Sequence, residues 1–352
     1  MLGYLLGWIP SSNSDDCDHP RKAPATTLPL TGRCEKKQNS MKKTIELVEE
    51  AYRMLAMGEV ENPTKTSVFL DSFGKPGKGF VSQPAYIDPI SRAGVKWNGI
   101  NFENLSKHGY PSQNWVIILS DGETFTPLSI MDGNYITGMR TAAATAVGIK
   151  YLAKKDADKV LIVGAGQQSS FQLRAINEVI KPAKIYVNDI RAEASRRFAN
   201  TMSNELGLDV ESIDDLKNAV SKSDILVLIT SADEAVIKFE WVKKGSLICA
   251  LGIFQQCDFS TIKQSNKIVV DHKDQTMHMG ELAKWASKGY LTKNDLYSEI
   301  GDIVIGKKKG REDNNEIILY VPIGIGSLDV STANWVYESA KKMGLGINLE
   351  LF

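Results

Sequence analysis

Scarcity narrows the possibilities for this chain of 352 residues, which has only four cysteines and four histidines. Cys17, Cys34, Cys249 and Cys257 form neither a CxxC pair nor a zinc-ligand spacing. A disulfide scaffold and a zinc module are therefore not expected, and a reducing, cytoplasmic setting fits. Cys17 and His19 stand close together, but two ligands without partners make no metal site, and no metal is expected. Net charge is absent too, because 42 Lys and Arg balance 42 Asp and Glu. That balance offers no attraction to nucleic acid or to an anionic membrane, so small polar molecules are the expected partners. No stretch reaches the roughly eighteen apolar residues of a membrane span. Leu2–Pro10 is apolar but short, follows no basic region and leads to no small-residue cleavage site, so it is not read as a signal peptide.

What is present is organised around Lys159–Arg191, KVLIVGAGQQSSFQLRAINEVIKPAKIYVNDIR. Val160–Val163 is a short apolar run, Gly164, Gly166 and Ser169 punctuate a turn, and Phe171–Ile180 returns to helical spacing. A second apolar run, Ile185–Val187, ends at Asp189. The order strand, turn, helix, strand, acid is that of a dinucleotide-binding βαβ unit. Gly164 permits a sharp turn, and Gly166, without a Cβ, lets backbone amides at the helix start approach a pyrophosphate. Gln167 and Gln168 lie at that start. Ser169 replaces the third glycine of the fingerprint and is still small enough for close helix packing. Asp189 is placed to accept hydrogen bonds from the adenosine ribose and to repel a 2′-phosphate, which favours NAD over NADP. The bland reading is an ordinary βαβ turn with no ligand.

Elsewhere the pattern is coarser. Residues 1–40 mix Ser, Thr, Pro and charge without a period and are expected to be an irregular extension, or an upstream start outside the folded protein. Ile45, Val48, Tyr52 and Leu55 then fall at helical spacing. Strand-like segments follow: TSVFLD after Lys65, GKGFVSQPAYI, RAGVKWNGI, and a hairpin of NWVIILSD and TPLSIMD around Asp121 and Gly122. Lys96 sits in the apolar run GVKW, where a buried ammonium needs a partner, unless it snorkels to water. YITGMRTAAATAVGIKYL is a helix with Arg140 and Thr141 near its start. Arg140 can form a bidentate pair with a carboxylate, or an ordinary structural ion pair. DVESI, DILVLIT ending at Thr230, GSLICALG and NKIVVD continue the nucleotide fold. Six strands alternating with helices are expected in one doubly wound parallel sheet, with cofactor at the carboxyl ends of the strands. KKKGRED reads as a solvated loop, and EIILYVPIG with the last helix is expected to return to the first part of the chain.

GVKW at Lys96, MRTAA at Arg140, VGAGQQSS at Gly164, GEL at Gly280–Leu282 and GREDNNEIIL at Gly310, in this order, resemble the ornithine cyclodeaminase and mu-crystallin family from about Met41 to Phe352. The resemblance implies an α/β fold with a Rossmann domain at 142–318. It also implies a second α/β domain for substrate binding and dimerisation, formed by 41–141 and completed by 319–352. A homodimer through that second domain is expected by analogy. Within the family, GVKW and the closing GREDNNEIIL to GINLEL are most similar to the dehydrogenases of N-(2-amino-2-carboxyethyl)-L-glutamate. These oxidise a secondary amine with NAD and hydrolyse the imine to 2,3-diaminopropionate and 2-oxoglutarate, for siderophore and antibiotic pathways.

Carried onto this chain, the family's carboxylate-binding arginine is Arg140, its lysine is Lys96, and a basic position that is often arginine is Lys65, a point charge instead of a planar fork. Arg140 and Lys65 would hold carboxylates, and Lys96 would hold one and shuttle a proton, its amine pKa depressed by neighbouring cations. Cofactor contacts are expected from Gly164, Gly166, Gln167, Gln168, Ser169, Asp189, Thr230 and Thr141. Cyclodeaminases carry an aspartate after the fifth strand. This chain has Phe254, Gln255 and Gln256 there, with Asp258 a few residues late, which argues against conversion of ornithine to proline and ammonia. That reaction, and a nonenzymatic nucleotide-binding protein of the crystallin type, are the alternative expectations.

Overall fold

The computed structural model describes residues 3–5, 40–74, 77–252 and 254–349. They form two compact units. One takes residues up to Lys43, Met57–Thr137 and everything from Ile325. The other takes Thr44–Ala56 and Gly138–Gly324. Of the expected irregular extension over residues 1–40, Gly3–Leu5 is a strand and Ser40 begins the helix Ser40–Ala56; the rest lies outside the described residues, as do Cys17, His19 and Cys34. No described helix is long and apolar enough to cross a membrane.

The first unit holds strands β1 (Gly3–Leu5), β2 (Val60–Glu61), β3 (Thr66–Phe69), β4 (Gly79–Ile87), β5 (Arg92–Ile100), β6 (Gln113–Asp121) and β7 (Pro127–Asp132). The chain leaves through the helix Asn134–Leu152 and enters the second unit. There it forms β8 (Lys159–Val163), β9 (Lys184–Asn188), β10 (Val210–Ser212), β11 (Ile225–Leu228), β12 (Leu247–Ala250), β13 (Lys267–Val270), β14 (Ser298–Glu299) and β15 (Ile318–Val321). It returns through the helix Gly326–Lys342 and ends the first sheet with β16 (Ile347–Leu349).

The first sheet runs β16-β1-β7-β6-β5-β4-β2, with β3 also paired to β4. Its residues alternate as period two requires. Val81, Gln83, Ala85 and Ile87 of β4 and Ile117 and Leu119 of β6 are buried. The helix Gly326–Lys342 covers this face. It fits closely because Gly94 leaves room: a Cβ there would stand 3.0 Å from Val330 Cγ2. On the opposite face Val68, Phe80, Trp97 and Val116 are exposed, with Trp97 directly across from Val116 and Phe80 from Val68.

The second sheet is all parallel, in the order β10-β9-β8-β11-β12-β15-β13-β14. This is the doubly wound Rossmann architecture, and β8, β11, β12, β13 and β15 read as unbroken apolar runs because helices cover both faces. Eight strands are present where six were expected. β15, expected to begin the return, instead lies inside this sheet between β12 and β13. Its four consecutive buried residues, Ile318–Val321, suit a doubly covered strand. The return begins only at Ile325, and the helix at Ser40–Ala56 contributes most of its length to the second unit.

The KKKGRED segment is not simply solvated. Lys267 Nζ, at the start of β13, sits 2.9 Å from both Glu312 and Glu316 and donates to the Gly310 carbonyl at 2.7 Å. Arg311 donates to the carbonyls of Leu152 and Glu316 at 2.8 and 2.5 Å. These bonds fasten the loop to the amino-terminal edge of the sheet.

Candidate cofactor and catalytic site

In the second unit the exits of β8, β9, β11, β12 and β13 carry Gly164, Asp189, Thr230, Gly252 and Asp271 to one edge of the sheet. Gly164 has φ +105°, and a Cβ there would lie 2.5 Å from the Ile229 carbonyl oxygen. Only glycine fits this turn. Gly166 caps the helix Gln167–Val179, and a Cβ on it would meet nothing within 4 Å. The helix start at Gly166 and Gln167 is thus open, with the positive end of the helix dipole behind it. Gln167 is exposed at that end. Among the described residues the buried Gln168 side-chain oxygen has no hydrogen-bond partner. These features suit a pyrophosphate.

Asp189 joins the strand exit to the turn: its Oδ2 accepts from the Ala165 amide at 2.8 Å and its Oδ1 from the Arg191 amide at 2.9 Å. Ser169 is fully buried, and its hydroxyl donates to the Gly164 carbonyl at 2.5 Å, so it braces the turn from behind. Thr230 accepts the Ala232 amide at 3.1 Å, and its methyl group lies against Gly164. Thr141 is half-buried on the helix Asn134–Leu152. Sequence reasoning passed over Ile190, which is fully exposed between Asp189 and Arg191. An apolar residue directly after the strand-ending acid was the available signal.

Arg140, one residue before Thr141, is buried at 4% exposure. Its guanidinium lies over Gly324, a position with φ +81° where any side chain would collide with it. The Gly324 amide donates to Asp271 Oδ2 at 2.6 Å, and its carbonyl accepts from Gln275 at 2.7 Å. Tyr52 and Tyr320 are buried beside this cluster. Burial and the Asp271 charge push the Tyr52 phenol up, while Tyr320 and the Arg140 charge pull it back.

In the first unit Lys96 pairs across β4–β5 with Gln83, and both side chains are buried. Lys96 Nζ donates to Asp329 Oδ1 at 3.1 Å, and the two side chains are 1% and 0% exposed. Sequence reading asked for a partner for Lys96 but could not name Asp329. Lys65, half-buried, immediately precedes β3, whose first pair is Thr66 with Ser82.

The segment that replaces the family aspartate is occupied structurally. Asp258 caps the helix Phe259–Gln264, accepting from Thr261 N at 2.9 Å and Thr261 Oγ1 at 2.6 Å. It also accepts from Phe239 N at 3.2 Å. Gln256 is fully buried, and its side-chain oxygen accepts from the Thr230 amide and hydroxyl at 3.1 and 2.8 Å. Gln255 accepts from Lys284 Nζ at 2.7 Å. Among the described residues no cluster of three or more His, Cys, Asp or Glu could hold a metal ion.

Known proteins share this fold. A model of the ornithine cyclodeaminase/mu-crystallin family matches residues 30–344. Alanine dehydrogenase of Archaeoglobus fulgidus is 33% identical over 331 residues, 93% of this chain and 99% of the relative. N-((2S)-2-amino-2-carboxyethyl)-L-glutamate dehydrogenase of Staphylococcus aureus is 28% identical over 88% of this chain and 93% of its own length. Among solved structures, Thermococcus litoralis Δ1-pyrroline-2-carboxylate reductase, in complex with NADH and L-proline, superposes with a TM-score of 0.85 at 35% identity. That match covers 90% of this chain and 98% of the other.

Proposed function

This chain belongs to the ornithine cyclodeaminase/mu-crystallin family, and from that premise we propose that it is an NAD-dependent oxidoreductase acting at the α-carbon C–N bond of an amino acid or N-alkyl amino acid. The observation that carries this reading is the buried Lys96–Asp329 pair. A buried ion pair adds little net stability over apolar residues of the same volume, so its presence in a core points to chemistry.

NAD would supply the hydride acceptor; the Gly164–Gln168 turn would hold it, with Asp189 toward its ribose and Ile190, Thr141 and Thr230 among the remaining contacts. Arg140 grips the substrate α-carboxylate through its planar fork, oriented by the Gly324 backbone. Lys96 gives or takes the proton on the substrate nitrogen and Asp329 keeps it aligned. Lys65 takes a further carboxylate. Oxidation of a secondary amine yields an imine, and addition of water to that imine releases an amine and a 2-oxo acid.

The substrate we favour is N-(2-amino-2-carboxyethyl)-L-glutamate, split into 2,3-diaminopropionate and 2-oxoglutarate, on the strength of the Lys96 and Gly310 segments and the Staphylococcus aureus relative. A small amino acid or cyclic imino acid is the second reading, supported by the alanine and pyrroline-2-carboxylate enzymes at higher identity. Ornithine cyclisation is disfavoured because Asp258 and Gln256 are both held in structural bonds. We place the protein in the reducing cytoplasm as a homodimer. The apolar outer face around Val68, Phe80, Trp97 and Val116 is the surface for the second copy.

The test is NADH absorbance with purified protein and NAD, offering N-(2-amino-2-carboxyethyl)-L-glutamate, L-alanine, L-proline and L-ornithine in turn, with products identified by mass. NADH and 2-oxoglutarate from the first alone establish the favoured substrate. NADH from alanine or proline alone transfers the assignment to the second reading. Proline and ammonia from ornithine without net NADH would overturn both.

A further inference from the structure

The GEL segment at Gly280–Leu282 takes no part in the site described above, yet its glutamate is fully buried. Gly280 has φ +81°, and a Cβ on it would strike Ile323, so the chain turns sharply into Glu281. The Glu281 carboxylate accepts two successive backbone amides, Gln256 N at 2.5 Å and Cys257 N at 2.9 Å. The Gln256 side chain then reaches the other way, accepting both the amide and the hydroxyl of Thr230. Its own amide group is packed against Gly252, where a Cβ would come within 2.5 Å of it. The Gln256 carbonyl accepts from Val236 at 2.9 Å. One residue therefore ties the exit of β12 to the exit of β11, and Glu281 holds that residue in place.

We propose that Glu281 is a positioning residue for the cofactor: acting through Gln256, it sets Thr230 against the Gly164 turn, and its charge state makes the affinity for NAD depend on pH. The proposal rests on the reading that Thr230 borders the bound nucleotide.

An ionised carboxylate can accept both amides, whereas a protonated one offers a donor to one of them and loses that bond. Burial pushes the Glu281 carboxyl up to about 7, against the opposing pull of the Gln256 and Cys257 amides and the Cys257 thiol. Among neighbouring groups, Lys284 is engaged by Gln255 and Asp258 by Thr261 and Phe239. The Cys257 thiol is itself pushed up by burial and by the Glu281 and Asp258 charges, so it stays protonated where Glu281 titrates. Bound nucleotide, which on this reading needs Thr230 held against the Gly164 turn, favours the ionised glutamate.

The experiment is a fluorescence titration of NADH affinity between about pH 6 and about pH 8. For the wild-type chain the dissociation constant should rise by about fivefold toward low pH, the worth of one hydrogen bond. Glu281→Gln should bind at the weaker, low-pH level throughout, with no pH dependence. A Glu281→Gln variant with the wild-type profile, or a flat wild-type profile, would overturn the proposal. If Glu281→Gln does not fold, Gln256→Leu provides the second test. It keeps the amide that Glu281 holds but cuts the link to Thr230, so it too should be flat, and retention of the wild-type profile counts against the proposal. Failure of the wild-type chain to bind NADH at any pH would instead sink the cofactor reading.

Discussion

Lys96 and Asp329 stand 233 residues apart in the chain and meet at 3.1 Å inside the first unit, one on a strand and the other on the helix that covers it. Their contact sets a charged pair inside a core that is otherwise mostly apolar.

Breaking the pair one-sidedly should be costly. Lys96→Met leaves a buried carboxylate without its ammonium and should destabilise the protein by about 3–5 kcal/mol in urea unfolding. The double variant Lys96→Met, Asp329→Leu should recover most of that loss while remaining inactive. Recovery of activity along with stability would mean the pair is only structural.

Arg140 depends on the shape of Gly324 as much as on its own charge. Gly324→Ala introduces a Cβ at φ +81° and against the guanidinium. It should lower kcat/KM by about a hundredfold, comparable to displacing a well-oriented group by about 1 Å. Arg140→Lys keeps the charge but loses the fork, and its effect should appear mainly in KM. Steady-state kinetics on the two variants check both statements.

Asp189 is placed to accept from a ribose and to repel a 2′-phosphate. Asp189→Ala should reduce the preference for NAD over NADP by about tenfold or more, since removing one repulsive carboxylate at this largely buried position is worth about 1–2 kcal/mol. An unchanged ratio of kcat/KM for the two cofactors would remove Asp189 from the ribose contact.

Acid stability should be governed in part by Asp224, at the opposite edge of the sheet. Burial works against its charge, but the ammonium groups of Lys243 and Lys154 and the amides of Lys159 and Asp158 hold its carboxyl well below the usual range. A depressed folded-state value means the stabilisation is present above the unfolded value of about 4 and is lost as pH falls below it. Asp224→Asn should therefore be less stable than wild type at neutral pH, with the gap closing in strongly acidic buffer. A constant gap in denaturation midpoints would refute this.

The strand-turn-helix-strand unit proposed to hold the nucleotide could be read directly because its signals are local. Gly164, Gly166 and Asp189 lie within one strand-turn-helix-strand unit, where the positive φ, the open helix start and the acid at the strand end each need a particular residue type at a particular place. Ser169 was legible only as a small residue, since its bond to the Gly164 carbonyl depends on the turn being formed. Asp258 was the plausible replacement for a missing aspartate, and its use as a helix cap emerged only once Thr261 and Phe239 were placed around it. Arg311 read as part of a solvated charge run because one of its acceptors, the Leu152 carbonyl at the end of the helix Asn134–Leu152, lies 159 residues away in the chain.

By itself the sequence determined the principal elements and their order: alternating and unbroken apolar runs select strands by how many faces are covered, and helical spacing selects the helices between them. It determined the Gly164–Gln168 turn for the same reason, since a positive φ and a helix start are local demands. The tertiary structure alone decided that Ile318–Val321 inserts between β12 and β13, that Lys96 faces Asp329, that Arg140 rests on Gly324, and that Glu281 supports Gln256. Each of these is a contact between residues distant in sequence. What selects it is the need to pair a buried charge or amide, and the partner is fixed only when the sheets and their covering helices have closed around it.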